Sequence, residues 1–393
     1  MIRKAPQRGF PVVEFESRTA MAQQMMAAVG LDALLLTTEA EVRYFTGYLT
    51  QFWQSPTRPW FLIVPASGRP VAVIPTIGAD CMGKTWIDDI RTWSSPRPHD
   101  EGVQLLADTL SELAGPQARL GLPMGPETHL RMPLHDYDRL RERLAGCDFV
   151  DDSGILRRLR MAKSPAEIAK ITYICDVVSD VFETWPASLR HGMSEIEIFR
   201  SFKIACLEAG ADDVAYLVGG AGQGGYGDII SPASERRVGE GDVLILDTGA
   251  VFDGYYCDFD RNWAFGSAAA DVRAAYEAVY EATDAGFAAA QPGATASDVC
   301  NAMQKVMTAA GALGNDVGRL GHGLGMQLTE WPSNTPTDFT VLEPGMVLTL
   351  EPGMAFAPGR LMVHEENIVI GEDGPHYLTR RATATLPIIG KAQ

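Results

Sequence analysis

Residues 242–265, "DVLILDTGAVFDGYYCDFDRNWAF", set two aspartates, Asp247 and Asp258, eleven positions apart beside apolar, strand-like runs, with Gly249 and Gly254 between them. A hairpin through "TGAVFDG" brings the two carboxylates side by side. Two more acids occupy similar places: Glu351 follows "VLTL" and precedes the turn pair Pro352 and Gly353, and Glu365 precedes "NIVI". Unpaired carboxylates at the ends of apolar strands lose their hydration without compensation. Two divalent cations remove that cost. Four carboxylates and one imidazole, His322 of "GHGLG", suit two closely spaced Mn, Co, Fe or Zn ions, whereas structural zinc favours cysteine. Taken singly, each residue has a structural explanation as well: Asp247 as a hairpin residue, Asp258 paired with Arg261, Glu351 capping a turn, Glu365 on a strand surface, His322 as a satisfied polar group. The ordered combination is what points to chemistry.

A chain of 393 residues exceeds the usual span of one core, so two domains are expected. In the first half, "RTAMAQQMMAAVG" reads as a helix closed by Gly30, "DALLLTT", "WFLIVPA" and "PVAVIP" as strands, and "VQLLADTLSELAG" as a helix, which together describe an α/β domain. The character changes at "LRRLRMAKSPAEIAKI". Ser164, Pro165 and Glu167 form a capping-box helix start, and the boundary falls within 155–163, giving domains 1–157 and 158–393. A second cap, Ser194 with Glu197, opens a helix that Gly210 closes. From about residue 241 strands and turns dominate, interrupted by two helical stretches, so the second domain is α+β.

With 50 acidic against 33 basic residues the net charge is −17, which argues against a nucleic-acid partner, because phosphate backbones need a positive surface. The N-terminal segment lacks a signal-peptide core and no stretch approaches a spanning helix, so a cytoplasmic location and no membrane partner are expected. Six cysteines without a CxxC pair read as reduced, mostly buried thiols.

The ordered series resembles the pita-bread metallopeptidase family: methionine aminopeptidase, aminopeptidase P, prolidase and the metal-free relative creatinase. "LILDTGAVFDGYYCDFDRNW" is similar to its paired-aspartate hairpin, "GHGLG" to its histidine loop, "LEPGM" to its first glutamate turn and "VHEENIVI" to its last strand. "GLDALLLTTEAEVRYFTGY" is similar to the N-terminal domain of the prolidase, aminopeptidase P and creatinase branch, so the resemblance covers essentially the whole chain. It implies an α/β creatinase-like N-terminal domain and an α+β pita-bread catalytic domain. It further implies that Asp247 binds one metal, Asp258 and Glu365 bridge both, and His322 and Glu351 complete the second. A water or hydroxide between the two cations is then the nucleophile, and Glu351 accepts its proton. The implied function is an Xaa-Pro dipeptidase or aminopeptidase acting on a short peptide or similar small molecule.

The sequence departs from the family where peptidases carry substrate-handling histidines. Ile230 stands seventeen positions before Asp247, Gly318 four before His322 and Thr329 seven after it. Losing one such polarising donor typically costs about two to three orders of magnitude in rate. Glu330, Tyr226, Asp228 and Gln327 lie in loops from which a substitute can come, with Glu330 and Tyr226 taken as catalytic candidates and Thr329 as a substrate contact. "TGYLTQFWQSPTRPWF" interleaves aromatics with Arg58. In this branch one subunit's N-terminal domain often borders the other's active site, which implies a homodimer. Trp53 and Arg58 are then candidates for recognising a carboxylate or an onium group, against the alternative of inter-domain core and a surface charge. Two other functions stay open. One is a metal-dependent hydrolase or lyase for a small zwitterionic metabolite, as in ectoine hydrolase, dimethylsulfoniopropionate lyase or creatinase. The other is a non-catalytic binding protein on the same scaffold.

Overall fold

The computed structural model describes residues 4–55, 58–314 and 318–390. Two compact units emerge, Gln7–Arg160 and the chain from Met161 onward.

The first unit is built on six strands: β1 (Ala33–Leu36), β2 (Phe61–Pro65), β3 (Val71–Pro75), β4 (Ile90–Trp93), β5 (Arg119–Leu122) and β6 (Asp148–Asp151), in the order β4-β3-β2-β1-β5-β6. The β1–β2 and β2–β3 pairs are antiparallel, and β1–β5, β3–β4 and β5–β6 are parallel. The central strands are apolar throughout because helices cover the sheet; the helix Val103–Ala114 sets Leu106 and Leu110 against Leu35, Ile63 and Val73. The first helix, Val12–Val29, ends at Gly30 in the left-handed conformation, as the sequence suggests.

The second unit opens with the expected capping box. Ser164 accepts the Glu167 amide and the Glu167 carboxylate accepts the Ser164 amide, starting the helix Pro165–Thr184. Ser194 and Glu197 repeat the device at Glu195–Ala209. A sheet follows from β7 (Asp213–Gln223), β8 (Asp242–Phe252), β9 (Tyr255–Tyr256) and β10 (Phe259–Phe265). A second comprises β11 (His322–Gly323), β12 (Glu330–Ser333), β13 (Val347–Leu350), β16 (Glu366–Gly371) and β17 (Gly374–Tyr377), with β14 (Gly353–Ala357) and β15 (Arg360–Val363) forming a small ribbon. Strand β18 (Ile388–Ile389) closes the first of these against β10. The helices Ala270–Ala289 and Ala296–Ala309 bury Val279, Ala282, Met303 and Met307 in a core shared with Ile245, Leu348 and Ile368. This is the α+β arrangement expected from the alternation of strands and helices.

One local expectation changes. The hairpin does run through this stretch, with β8 extending to Phe252 and the turn made by Asp253 and Gly254 at positive φ. Its register, however, puts Asp260, not Asp258, directly across from Asp247. Asp258 lies two residues further along, which period-two geometry returns to the same face as a diagonal neighbour.

Candidate metal centre

Each of the five residues singled out as metal ligands reaches one cavity from a different piece of strand. Asp247 comes from β8, Asp258 from just ahead of β10, His322 from β11, Glu351 from just after β13 and Glu365 from just before β16. All five line a cavity of about 210 Å³. One ligand atom from each of Asp258, His322 and Glu365 lies within 4.8 Å of the others.

Local structure explains the placement of His322. Gly321, at φ 121°, packs so closely that a Cβ there would lie 2.2 Å from the Thr349 carbonyl oxygen. The His322 amide donates to Thr349 Oγ1 at 3.1 Å, and its Nδ1 sits 2.9 Å from the Gly323 carbonyl, which assigns the ring proton to Nδ1. Nε2 is left facing Asp258 Oδ2 at 3.5 Å. Burial pushes the imidazole down to about 4, so it is neutral at pH 7 and its Nε2 lone pair is available to a cation.

The carboxylates are held the other way. Burial, then repulsion from the other acids, keeps Asp247, Asp258 and Glu365 well above the usual carboxylate range. Burial and Asp260 lift Glu351 to about 7, with Arg319 acting against them. Asp247 Oδ1 and Glu365 Oε1 are sealed from solvent without a hydrogen-bond partner. Buried carboxylate oxygens without donors are costly, and divalent cations are the groups this donor set fits.

Behind the ligands lies a polar layer that the sequence reading passed over. The Asn367 side chain pairs with the backbone of Asp258, and its Oδ1 also accepts from Cys175 Sγ. Asp260, buried among the same acids, accepts the Glu365 amide at 3.2 Å. Glu366 contrasts with its neighbour Glu365. Burial pushes it up, but Arg261, His364 and Arg381 more than offset that and hold it well below the carboxylate range. Tyr216 and Arg319 also line the cavity, and Arg319 donates to Ser333 Oγ at 3.0 Å. The spacing of Arg319, three before His322, and of Asp260, two after Asp258, were the signals available for two of these residues.

Other expectations need correction. Thr329 lines the cavity, as does Ile230, so two of the positions where related peptidases carry histidines do face it. Tyr226 does not: its hydroxyl donates to Asn262 Oδ1 at 2.8 Å and accepts the Val363 amide at 2.9 Å, a fully buried structural role. Nor does Glu330, which accepts from Lys163 Nζ at 3.2 Å and from the Gln327 amide at 3.1 Å. Asp228 accepts the Ile230 and Ser231 amides in a local turn. Trp53 and Arg58 belong to the first unit. Trp53 packs on Tyr48 and Trp60 with the Arg131 guanidinium 5.3 Å from its ring, and Arg58 lies 5.2 Å from the Phe52 ring.

Residues 169–372 match the model of metallopeptidase family M24, and residues 18–162 match that of the creatinase/prolidase N-terminal domain. The chain belongs to metallopeptidase family M24. Among its M24 relatives, the probable dipeptidase PepE of Mycobacterium tuberculosis is 29% identical over 380 residues, covering 93% of this chain and 95% of that protein. The Xaa-Pro dipeptidase of Lactobacillus delbrueckii subsp. lactis is 26% identical over 379 residues, covering 93% and 98%. The crystal structure of dipeptidase PepE from Mycobacterium ulcerans superposes with a TM-score of 0.85 at 28% identity, covering 97% of this chain and 99% of that one. The chain is thus an M24 hydrolase with a creatinase-type N-terminal domain and a pita-bread catalytic domain. Among the described residues no helix is long and apolar enough to cross a membrane.

Proposed function

We propose that this M24 hydrolase cleaves the amide bond of Xaa-Pro dipeptides, using two divalent cations held by Asp247, Asp258, His322, Glu351 and Glu365. The observation that carries this reading is the convergence of four buried carboxylates and one neutral imidazole on a single cavity, with two carboxylate oxygens lacking any donor. Cations bound there supply Lewis acidity and bring the pKa of water toward neutrality. Glu351, which lines the cavity beside the other ligands, is placed to take the proton from the attacking water and to return it to the leaving nitrogen. The cavity of about 210 Å³ lies below the roughly 300–1,000 Å³ of typical ligand sites, which favours a short substrate over a long peptide.

A second reading rests on Ile230 and Thr329. These cavity walls lack the imidazoles that handle peptides in related enzymes, which favours a small zwitterionic metabolite instead. Metal-depleted protein reloaded with Mn, Co, Fe or Zn separates the two readings when assayed on Xaa-Pro dipeptides, longer Xaa-Pro peptides and zwitterionic metabolites. Proline release from dipeptides, with slower turnover of longer peptides, is expected. Turnover confined to the metabolite panel establishes the second reading, and no turnover on any panel removes both. A homodimer is part of the proposal, and sedimentation of the loaded protein tests it.

A further inference from the structure

Tyr216 stands on β7 opposite Gly249 of β8, at a point where the strand register shifts between Val214 and Tyr216. Such a bulge turns a side chain away from its regular direction. Here it leaves Tyr216 as a wall of the metal cavity. The glycine across from it makes the approach possible, since a Cβ at 249 would lie 3.1 Å from the Tyr216 Cβ and 2.2 Å from Leu328 Cδ1.

Buried tyrosines elsewhere in the same unit have committed hydroxyls: Tyr226 to Asn262, Tyr255 to Glu167, Tyr276 to the Thr383 carbonyl. Among the described residues no group engages the hydroxyl of Tyr216. Tyr216 lines the same cavity as Asp247, Asp258, Glu351 and Glu365. A phenol, with an ordinary pKa of about 10, carries its proton at neutral pH.

Attack of water on an amide moves charge onto the carbonyl oxygen, and a fixed donor aimed at that oxygen stabilises the transition state more than the ground state. Carboxylates can only accept. The imidazole proton of His322 is spent on Gly323, and Arg319 donates to Ser333 Oγ. We propose that Tyr216 is a catalytic residue whose hydroxyl donates a hydrogen bond to the scissile carbonyl oxygen, serving where related peptidases use histidine. The phenol keeps its proton throughout; the bond shortens as the oxygen gains charge and relaxes as the leaving nitrogen departs. This rests on the amide-hydrolase reading above.

The test compares wild type, Tyr216→Phe and Thr329→Val, each loaded with Mn and checked for metal content and Tm. On an Xaa-Pro dipeptide, Tyr216→Phe is expected to lower kcat by about 10²–10³-fold with KM changed only a few-fold. A second readout needs no turnover: calorimetric affinity for a phosphinic dipeptide isostere, a stable tetrahedral mimic, against affinity for proline. The substitution should weaken the isostere by about 100-fold and leave proline unchanged. Retention of kcat and isostere affinity in Tyr216→Phe overturns the assignment. So does a loss seen in Thr329→Val alone, or a wild type that shows no preference for the isostere over proline. A wild type that cleaves no dipeptide but binds the isostere through Tyr216 defeats the dipeptidase reading and leaves the donor role standing.

Discussion

Asn367 grips Asp258 from both sides of its main chain: the Asp258 amide donates to Asn367 Oδ1 at 2.9 Å, and the Asn367 side-chain nitrogen donates back to the Asp258 carbonyl. The asparagine lies on β16 and the aspartate just ahead of β10, so one side chain fixes the distance between two strands that each deliver a carboxylate to the cavity. Groups that orient metal ligands typically contribute 10–100-fold to metal affinity. Asn367→Ala should therefore weaken Mn binding by about 10–100-fold in a calorimetric titration. Unchanged affinity would show that the sheet alone fixes Asp258.

The pH dependence of the metal-depleted protein follows from the cavity acids. Asp247, Asp258, Glu351 and Glu365 are all held above their unfolded values, Glu351 at about 7 against 4.5. The folded state therefore keeps protons that the unfolded chain has released, and stability is lost as pH rises. His322 acts in the opposite sense, but only between its unfolded value of 6.5 and about 4. From about pH 6.5 to about pH 8 the acids act alone, so Tm without metal should fall by several degrees across that range. Saturating Mn should flatten or reverse the slope. A rising Tm without metal would contradict the electrostatic account.

Lys163 and Glu330 form a buried pair at 3.2 Å beneath the loop that carries Leu328 and Thr329 to the cavity. Removing one member of such a pair strands a charge and typically costs about 3–5 kcal/mol. Lys163→Met should show that loss in urea unfolding, and the double substitution with Glu330→Leu should recover much of it.

Gly249→Ala tests the close approach beneath the cavity. The added methyl would meet Leu328 Cδ1 at 2.2 Å and Tyr216 Cβ at 3.1 Å. Overpacking of this kind costs about 1–3 kcal/mol. A denaturation midpoint within error of wild type would show that Leu328 and Tyr216 can both move aside.

What the chain discloses before folding is uneven, for physical reasons. Asp247, His322, Glu351 and Glu365 are legible because each carries a local signature: an apolar run, a glycine or a turn proline beside an out-of-place polar group. The capping boxes at Ser164 and Ser194 are legible because a cap is a contact over three residues. Tyr216 and Tyr226 are ten residues apart in one segment, and nothing local distinguishes them. A register shift on β7 sends one into the cavity, while hydrogen bonds to Asn262 and Val363 bury the other. Asp260 was hidden because its place opposite Asp247 depends on the cross-strand register, which no local pattern reveals. Asn367 and Arg381 were hidden because their partners lie more than a hundred residues away or on another strand. Contacts across sheets leave no periodic trace in sequence.

The adjacent glutamates at the start of β16 have one more consequence. Glu366 is already neutralised by Arg261 and Arg381, whereas Glu365 carries an oxygen with no donor. Successive residues of a strand point to opposite faces, so a slip by one position would exchange them. The cavity would then receive Glu366, stripped of its guanidinium neighbours, and those arginines would face a side chain they were not placed to meet. Two identical side chains, one neutralised and one not, thus work as an alignment mark, making misregistered pairing of this strand electrically unfavourable before any cation arrives.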